Sequence, residues 1–202
     1  MPRNKTLTRS VALLFTLCVP QLAQTDESVL YDAPAPADAV FVRLLDVPKA
    51  ASSIAFGGRI LPLMDALADT YTAISASDLS DVAPGGYYSL VSQGDHMAAI
   101  EEPPREAVSK VHLIVVNNSL TTVRLIVPGA DMEVVGAVEP GASGSRAVNP
   151  VNATLAVERI SDGTLLEQFD VSLSRGQNVS FIAFKDTARI VKNTFGPVLT
   201  LN

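Results

Sequence analysis

Residues 111–116 read VHLIVV, and an earlier stretch at 40–45 reads VFVRLL. Both are rich in β-branched residues and alternate apolar side chains between two faces, which is typical of strands. Three later segments have the same character: 121–127 (TTVRLIV), 154–159 (TLAVER) and 178–184 (NVSFIAF). Glycine- and proline-containing turns separate the strands, about ten residues apart. This spacing predicts an all-β chain built from sandwiches or barrels.

The two halves of the chain follow a similar order of segments, which indicates an internal duplication. Four pairs correspond: 40–46 with 111–117, 53–58 with 122–129, 71–76 with 154–159, and 79–91 with 169–183. Each half ends with a hairpin, where Gly85-Gly86 and Gly176 are expected to supply the positive φ of the reversal. We therefore predict two tandem antiparallel β-sandwich domains, Ig-like or jelly-roll-like, after a signal peptide.

We place the first domain at 25–102, a linker at 103–108 and the second domain at 109–202. The segment 101–106 (EEPPRE) combines two prolines with four charged residues. Prolines stiffen a chain and charges keep it hydrated, so we expect a stiff, solvated joint between the domains.

Residues 1–24 have the features of a signal peptide. Three basic residues precede the apolar run 10–19 (SVALLFTLCV), which is too short to span a bilayer. Pro20 ends the run, and we place the cleavage between residues 23 and 26. Residues 1–24 carry three of the 15 basic residues, none of the 21 acidic ones and the single cysteine. The exported chain would therefore have a net charge of −9, no thiol and no transmembrane span.

This composition argues against several classes of function. An acidic chain is poorly suited to neutralise phosphates, so we expect no nucleic-acid binding. His96 and His112 are isolated, and we interpret His112 as a surface or edge histidine. The segment 141–145 (GASGS) departs from the nucleophile-elbow pattern of serine hydrolases. We therefore predict no catalytic residues, no metal site and no cofactor.

The aromatic residues give little support for sugar stacking. The chain has no tryptophan, and Tyr71, Tyr87 and Tyr88 fall in or beside predicted strands, where core packing is expected. Only Tyr31, in a proline-rich entry segment, is predicted to be displayed.

Several motifs, taken in order, resemble the alginate O-acetylation accessory (AlgF-like) family over nearly the whole chain. They are Leu30-Tyr31 with Pro34 and Pro36, then 41–43 (FVR), 86–91 (GYYSLV), 101–104 (EEPP), and Arg146 with 149–151 (NPV). The segments 46–48 (DVP) and 60–69 depart from the pattern that the family would lead us to expect.

The resemblance implies a periplasmic, non-catalytic adaptor required for O-acetylation of alginate. Its partners would be periplasmic or membrane-anchored acetyltransferase components, with weak contact to alginate at most, and no catalytic residues carry over. As partner-binding residues we select Tyr31, Arg43, Arg124, Arg146 and Asn149; the arginines are isolated positive points that could pair with a partner carboxylate. Two alternatives stay open: a carbohydrate-binding module that presents the polymer to the enzyme, and a cryptic acetyltransferase or esterase.

Overall fold

The computed structural model describes residues 34–46, 53–62, 68–93, 96–130 and 132–201. The predicted signal peptide and Tyr31 lie outside the described residues. The described strands confirm the all-β prediction and form sheets in two halves. The prediction of an antiparallel fold needs one addition, because three strand pairs, β1 with β5, β7 with β13 and β4 with β15, are parallel.

In the part of the chain that the structure describes, the first half contains six strands, and a seventh comes from residues 194–198. These strands are β1 (Ala39–Asp46), β2 (Ser53–Phe56), β3 (Arg59–Pro62), β4 (Thr70–Ser75), β5 (Tyr87–Gln93), β6 (His96–Glu102) and β15 (Thr194–Val198). Five of them make the first-half sheet, in the order β15-β4-β1-β5-β6, and β2 and β3 form a separate two-stranded sheet. The C-terminal strand β15 therefore pairs with the first-half sheet and not with the strands of the second half. The domain boundaries given above stay a prediction.

The second half contains eight strands in two four-stranded sheets. The strands are β7 (Val111–Asn117), β8 (Val123–Val127), β9 (Met132–Val138), β10 (Ser143–Val148), β11 (Val151–Arg159), β12 (Thr164–Leu173), β13 (Val179–Ala183) and β14 (Ala188–Lys192). The inner sheet has the order β10-β7-β13-β14, and the outer sheet has the order β12-β11-β8-β9.

The topology supports the predicted duplication. β1 pairs antiparallel with β4 and parallel with β5, and β7 pairs in the same way with β10 and β13. The match of 40–46 with 111–117 is therefore confirmed, as is the match of the strands that follow Gly85 and Gly176, whose φ values are 80° and 79°. The expected hairpins at these glycines are wrong, because β5 and β13 pair with β1 and β7 and not with the strands that precede them, and Gly86 does not have the positive φ that we expected. The match of 71–76 with 154–159 is wrong: β4 corresponds to β10, because β11 and β12 form an additional hairpin in the outer sheet.

Three apolar layers hold these sheets together. Val40, Val42 and Leu44 of β1 face the hairpin β2–β3, whereas Leu45 faces the opposite way and packs with Ile114 of β7. The other faces of β7 and β13 pack against the outer sheet. Every residue of β7 and β13 is consequently buried, which explains why these strands have nearly continuous apolar sequences.

Candidate functional site

A buried ionic cluster lies where the first-half sheet packs against the inner sheet. Its centre is Arg43, whose side chain is fully buried on β1. The guanidinium donates hydrogen bonds from Nε to Ser89 Oγ (2.9 Å), from Nη2 to Ser180 Oγ (2.8 Å) and from Nη1 to Asn193 Oδ1 (3.1 Å). Ser89 belongs to the first half and Ser180 to the second, so one side chain binds both halves.

Glu102, the last residue of β6, supplies the negative charge of this cluster. Its Oε1 lies 2.9 Å from Arg43 Nη2 and accepts a further hydrogen bond from Ser89 Oγ. Its Oε2 accepts from the Tyr71 hydroxyl at 2.6 Å and from Arg105 Nη2 at 3.0 Å. Each carboxylate oxygen therefore has two donors, which is the condition under which a buried charge is tolerated.

Tyr71 is fully buried and stays neutral within this cluster. Burial and the negative charge of Glu102 raise the pKa of its phenol far above the ordinary value of 10.0. Because the phenol keeps its proton, it donates to Glu102 while its oxygen accepts from Arg105 Nη2 at 2.6 Å. The cluster contains two guanidinium groups and one carboxylate.

Arg105 lies in the segment that connects the halves, and its side chain is only 6% exposed. The guanidinium carbon lies 3.7 Å from the centre of the Tyr87 ring and 4.6 Å from that of Tyr71. The electron-rich ring faces stabilise the second positive charge. The expectation of a solvated joint at 101–106 is therefore wrong at Glu102 and Arg105, whose side chains are buried and ion-paired.

An apolar cleft opens at one end of the second half, between the β8–β9 turn and the β10–β11 turn. It encloses about 360 Å³. Leu113 and Leu155 form its floor, and Val134 and Val151 are among the aliphatic side chains of its walls. Met132 lies at its mouth and is 52% exposed. The cleft therefore gives surface access to the core of the second half.

Two of the predicted partner-binding residues line this cleft. Arg146 on β10 donates from Nη1 to the backbone carbonyls of Glu133 (3.2 Å) and Val134 (3.3 Å). Asn149 Oδ1 accepts a hydrogen bond from Lys110 Nζ at 2.6 Å. Both side chains are exposed. Their role in partner binding stays a prediction, and the structure places them together.

The other two described candidates lie elsewhere. Arg124 on β8 lies on the outer sheet, where its Nη2 is 2.7 Å from Glu158 and its Nη1 is 3.7 Å from Glu133. Arg43 is buried and paired within its own chain, so it does not present the surface charge that we expected. The reason is that the second face of β1 packs against another sheet, whereas the sequence alone suggested an outward position.

The two histidines also differ from each other. His96 is exposed at the start of β6. His112 is buried, and its Nε2 lies 3.2 Å from the carbonyl oxygen of Ala107. The interpretation of His112 as a surface or edge residue is wrong, because both faces of β7 are covered. Among the described residues, no cluster of three or more histidine, cysteine or acidic side chains is arranged to hold a metal ion.

An aromatic group lies beside the ionic cluster. Phe41 stacks on Tyr87 at 4.9 Å, and Phe195 of β15 meets Phe41 at 5.4 Å and Tyr71 at 5.6 Å. Phe195 is 54% exposed. Tyr71 fits the core role that the sequence predicted, while Tyr87 and Tyr88 are half-buried.

Sequence reasoning missed Glu102, Ser180 and Asn193 as members of one cluster. They lie 59, 137 and 150 residues from Arg43 along the chain. A charged residue at the centre of the apolar run 40–45 was the one available signal, because an arginine there needs a buried carboxylate if its face is covered.

The comparisons with known proteins agree with one another. Residues 13–180 match the family model described as alginate O-acetyl transferase AlgF. The alginate biosynthesis protein AlgF of Pseudomonas aeruginosa is 30% identical over 193 residues, which cover 89% of this chain and 88% of that protein. The Azotobacter vinelandii protein of the same name is 31% identical over 167 residues, 76% of each chain.

A solved structure of the C-terminal domain of AlgF from P. aeruginosa is also similar. It is 29% identical and covers 42% of this chain and 98% of that one, with a TM-score of 0.37. No helix among the described residues has the length and apolar character needed to cross a bilayer.

Proposed function

The chain belongs to the AlgF family of alginate O-acetylation proteins, and from that premise we propose that it is a non-catalytic adaptor of the acetylation machinery. It acts in the periplasm through contacts with periplasmic or membrane-anchored acetyltransferase components. The basic start and apolar run of residues 1–19, which are typical of an export signal, support this location.

The ionic cluster at the junction of the two halves is the observation that carries this proposal. Arg43 contacts Ser89 and Glu102 in the first half, and Ser180 and Asn193 beyond it. Separating the halves would break the hydrogen bonds from Arg43 to Ser180 and Asn193 and expose the apolar layer of Leu45 and Ile114 to water, so the halves favour one relative arrangement. An adaptor needs this property, because it must hold the surfaces for two partners at a fixed distance and angle.

The charge of the chain supports the same interpretation. The formal net charge of the whole sequence is −6. A partner with a complementary basic patch would meet an acidic adaptor faster, while the gain in affinity would be smaller. An acidic protein also repels an anionic polymer at long range, although salt screens that repulsion.

A deletion strain tests the proposal directly. We expect the strain to secrete alginate that lacks O-acetyl groups, and the exported protein to retain the acetyltransferase components in a pull-down. His96→Ala and Ser143→Ala should restore acetylation fully, since an adaptor uses no nucleophile or base. Normal acetylation in the deletion strain would contradict the proposal, and loss of acetylation in either variant with normal folding would favour a catalytic role.

The second candidate function is a carbohydrate-binding module that presents the polymer to the enzyme. The exposed ring of Phe195 favours it, because a sugar can lay its apolar face on such a ring. Titration of the purified protein with oligomannuronate distinguishes the two functions. The adaptor predicts no saturable signal, whereas a carbohydrate-binding module predicts a saturable one that Phe195→Ser removes.

A further inference from the structure

We propose that the apolar cleft of the second half is a docking site for a polypeptide segment of the acetylation machinery. The segment carries an aliphatic or aromatic side chain that enters the cleft and a carboxylate close to it in sequence. This inference rests on the proposed adaptor function and names the surface and the chemistry by which one partner is held.

The cleft has the size and lining that suit an apolar anchor. Its volume of about 360 Å³ lies at the lower end of the range for ligand pockets, roughly 300–1,000 Å³. The floor is formed by Leu113 and Leu155, which belong to the core of the second half. An inserted side chain would therefore extend an existing core, and the apolar area removed from water would drive binding.

The positive charges at the mouth of the cleft favour a partner segment with an acidic residue beside its apolar anchor. Neither Arg146 nor Lys110 has an ion pair with a carboxylate among the described residues: Arg146 contacts two backbone carbonyls, and Lys110 contacts the neutral side chain of Asn149. Glu133 at the same mouth lies 3.7 Å from Arg124, which also pairs with Glu158 at 2.7 Å, so these three groups leave one negative charge against the two positive charges of Arg146 and Lys110. A carboxylate beside the anchor would find two cations here, on a chain that is acidic as a whole.

The lining favours a peptide over a sugar as the occupant. None of the described residues that line the cleft is aromatic, and a sugar ring would need a flat face for stacking together with several polar partners. An aliphatic wall instead suits an apolar side chain. The uncompensated cations at the rim then orient the segment that carries it.

Site-specific photocrosslinking in the alginate-producing host tests this docking. A photoreactive benzoylphenylalanine replaces Met132 at the mouth, and in a parallel chain it replaces Leu165, which is 39% exposed on β12 of the same half. We expect an adduct from position 132 and none from position 165. Mass spectrometry should map the adduct to an acetylation component, at an apolar residue with an aspartate or glutamate nearby.

Two substitutions of Arg146 at the rim distinguish the effect of its charge from an effect on the structure. With the crosslinker at 132, Arg146→Gln should lower the adduct about tenfold, the loss expected when one charged hydrogen bond is removed. Arg146→Lys should retain most of it, because the charge stays. No adduct from position 132, equal adducts from both positions, or an adduct that is insensitive to Arg146→Gln would overturn the docking site.

Complementation distinguishes failure of this inference from failure of the adaptor function. Met132→Glu should reduce acetylation of secreted alginate severalfold, whereas Leu165→Glu, a matched charge on the same half, should leave it unchanged. If deletion of the gene removes acetylation and Met132→Glu restores it fully, the adaptor function stands and the docking site is refuted. Thermal unfolding of both variants checks that each is folded.

Discussion

The two halves share the same pairing around a central strand, but different elements pack over that strand in each half. In the first half, β1 lies between β4 and β5 and is covered by the two-stranded hairpin β2–β3. In the second half, β7 lies between β10 and β13 and is covered by four strands, because β11 and β12 extend the outer sheet. The extra hairpin therefore gives the second half a deeper core, and the first half depends on its neighbour and on β15 for the rest of its burial.

One pair of equivalent positions shows the difference in chemistry. Arg43 of β1 corresponds to Ile114 of β7, and each pairs with a serine, Ser89 and Ser180. Both positions face the junction between the halves. Two equivalent serines therefore contact one arginine, and Glu102 supplies the negative charge that an arginine requires when it is buried.

Loss of the carboxylate should have the largest effect. Glu102→Ala leaves two buried guanidinium groups without a counter-ion, and we expect a loss of about 3–5 kcal/mol in the free energy of unfolding. Urea denaturation of the purified protein measures it. Glu101→Ala is the matched control, since this neighbour is exposed; a similar loss in both variants would mean that the buried carboxylate contributes no more to stability than an exposed one.

The same leucine-to-alanine substitution in each core should show how much the hairpin β2–β3 and the outer sheet each contribute to stability. Leu61 in the hairpin and Leu125 in the outer sheet are both fully buried. We expect Leu125→Ala to cost about 4 kcal/mol and Leu61→Ala about 2 kcal/mol, because a site that can collapse leaves a smaller cavity. β8 has strands on both sides whereas the hairpin is bounded by open edges. Urea denaturation measures both losses in the free energy of unfolding. Equal losses would mean that the hairpin β2–β3 and the outer sheet do not differ in this respect.

Alkaline pH should weaken the junction through Tyr71. Its pKa is raised by burial and by Glu102, so this stabilising contribution is fully present below pH 10.0 and is lost as the pH rises beyond it. The expected slope is about 1.4 kcal/mol per pH unit. Denaturation at pH 9 and above pH 10 should show the fall in wild type, and Tyr71→Phe should flatten it. An unchanged slope in that variant would assign the alkaline loss to other groups.

At acid pH, two aspartates in turns, one in each half, should have a smaller effect on stability. Hydrogen bonds from the Ser77 amide and the Ser75 hydroxyl lower the pKa of Asp38 in the first half, and the Thr164 amide lowers that of Asp162 in the second. Each carboxylate stabilises the fold above its ordinary value of 3.8, and the contribution is lost as the pH falls through the folded-state pKa. Asp38→Asn and Asp162→Asn should each slightly reduce the acid dependence of stability. A dependence identical to wild type in both variants would contradict the expectation.

The strands and their duplication could be predicted because they depend on local pattern. Alternation over 40–45 and 111–116 indicates strands wherever they pack. Which faces are covered depends on sheets that meet across the chain, and this is why Arg43 and His112 were placed at the surface. The hairpin β11–β12 was misaligned for a similar reason, since one strand pattern resembles another and the pairing of β10 with β7 is not local.

The candidate site was predictable only in part. Arg146 and Asn149 are close in sequence, and their clustering at one cleft follows from the turn after β10. The aliphatic floor below them combines Leu155 of β11, which follows the same turn, with Leu113 of β7, and no local sequence pattern indicates that β7 pairs with β10 beside that turn. Tyr31 lies outside the described residues, and partner binding by Arg124, Arg146 and Asn149 stays a prediction.

The position of β15 has a consequence for how the protein is made. Thr70 of β4 pairs with Thr194, so the first-half sheet acquires its edge strand only after the chain has been synthesised to residues 194–198. Until then the free edge of β4 is open to pairing with other chains, which is the hazard that edge strands bring. Deletion of residues 194–198 would leave that edge open permanently, and its first symptom would be a lower yield of native protein during biogenesis.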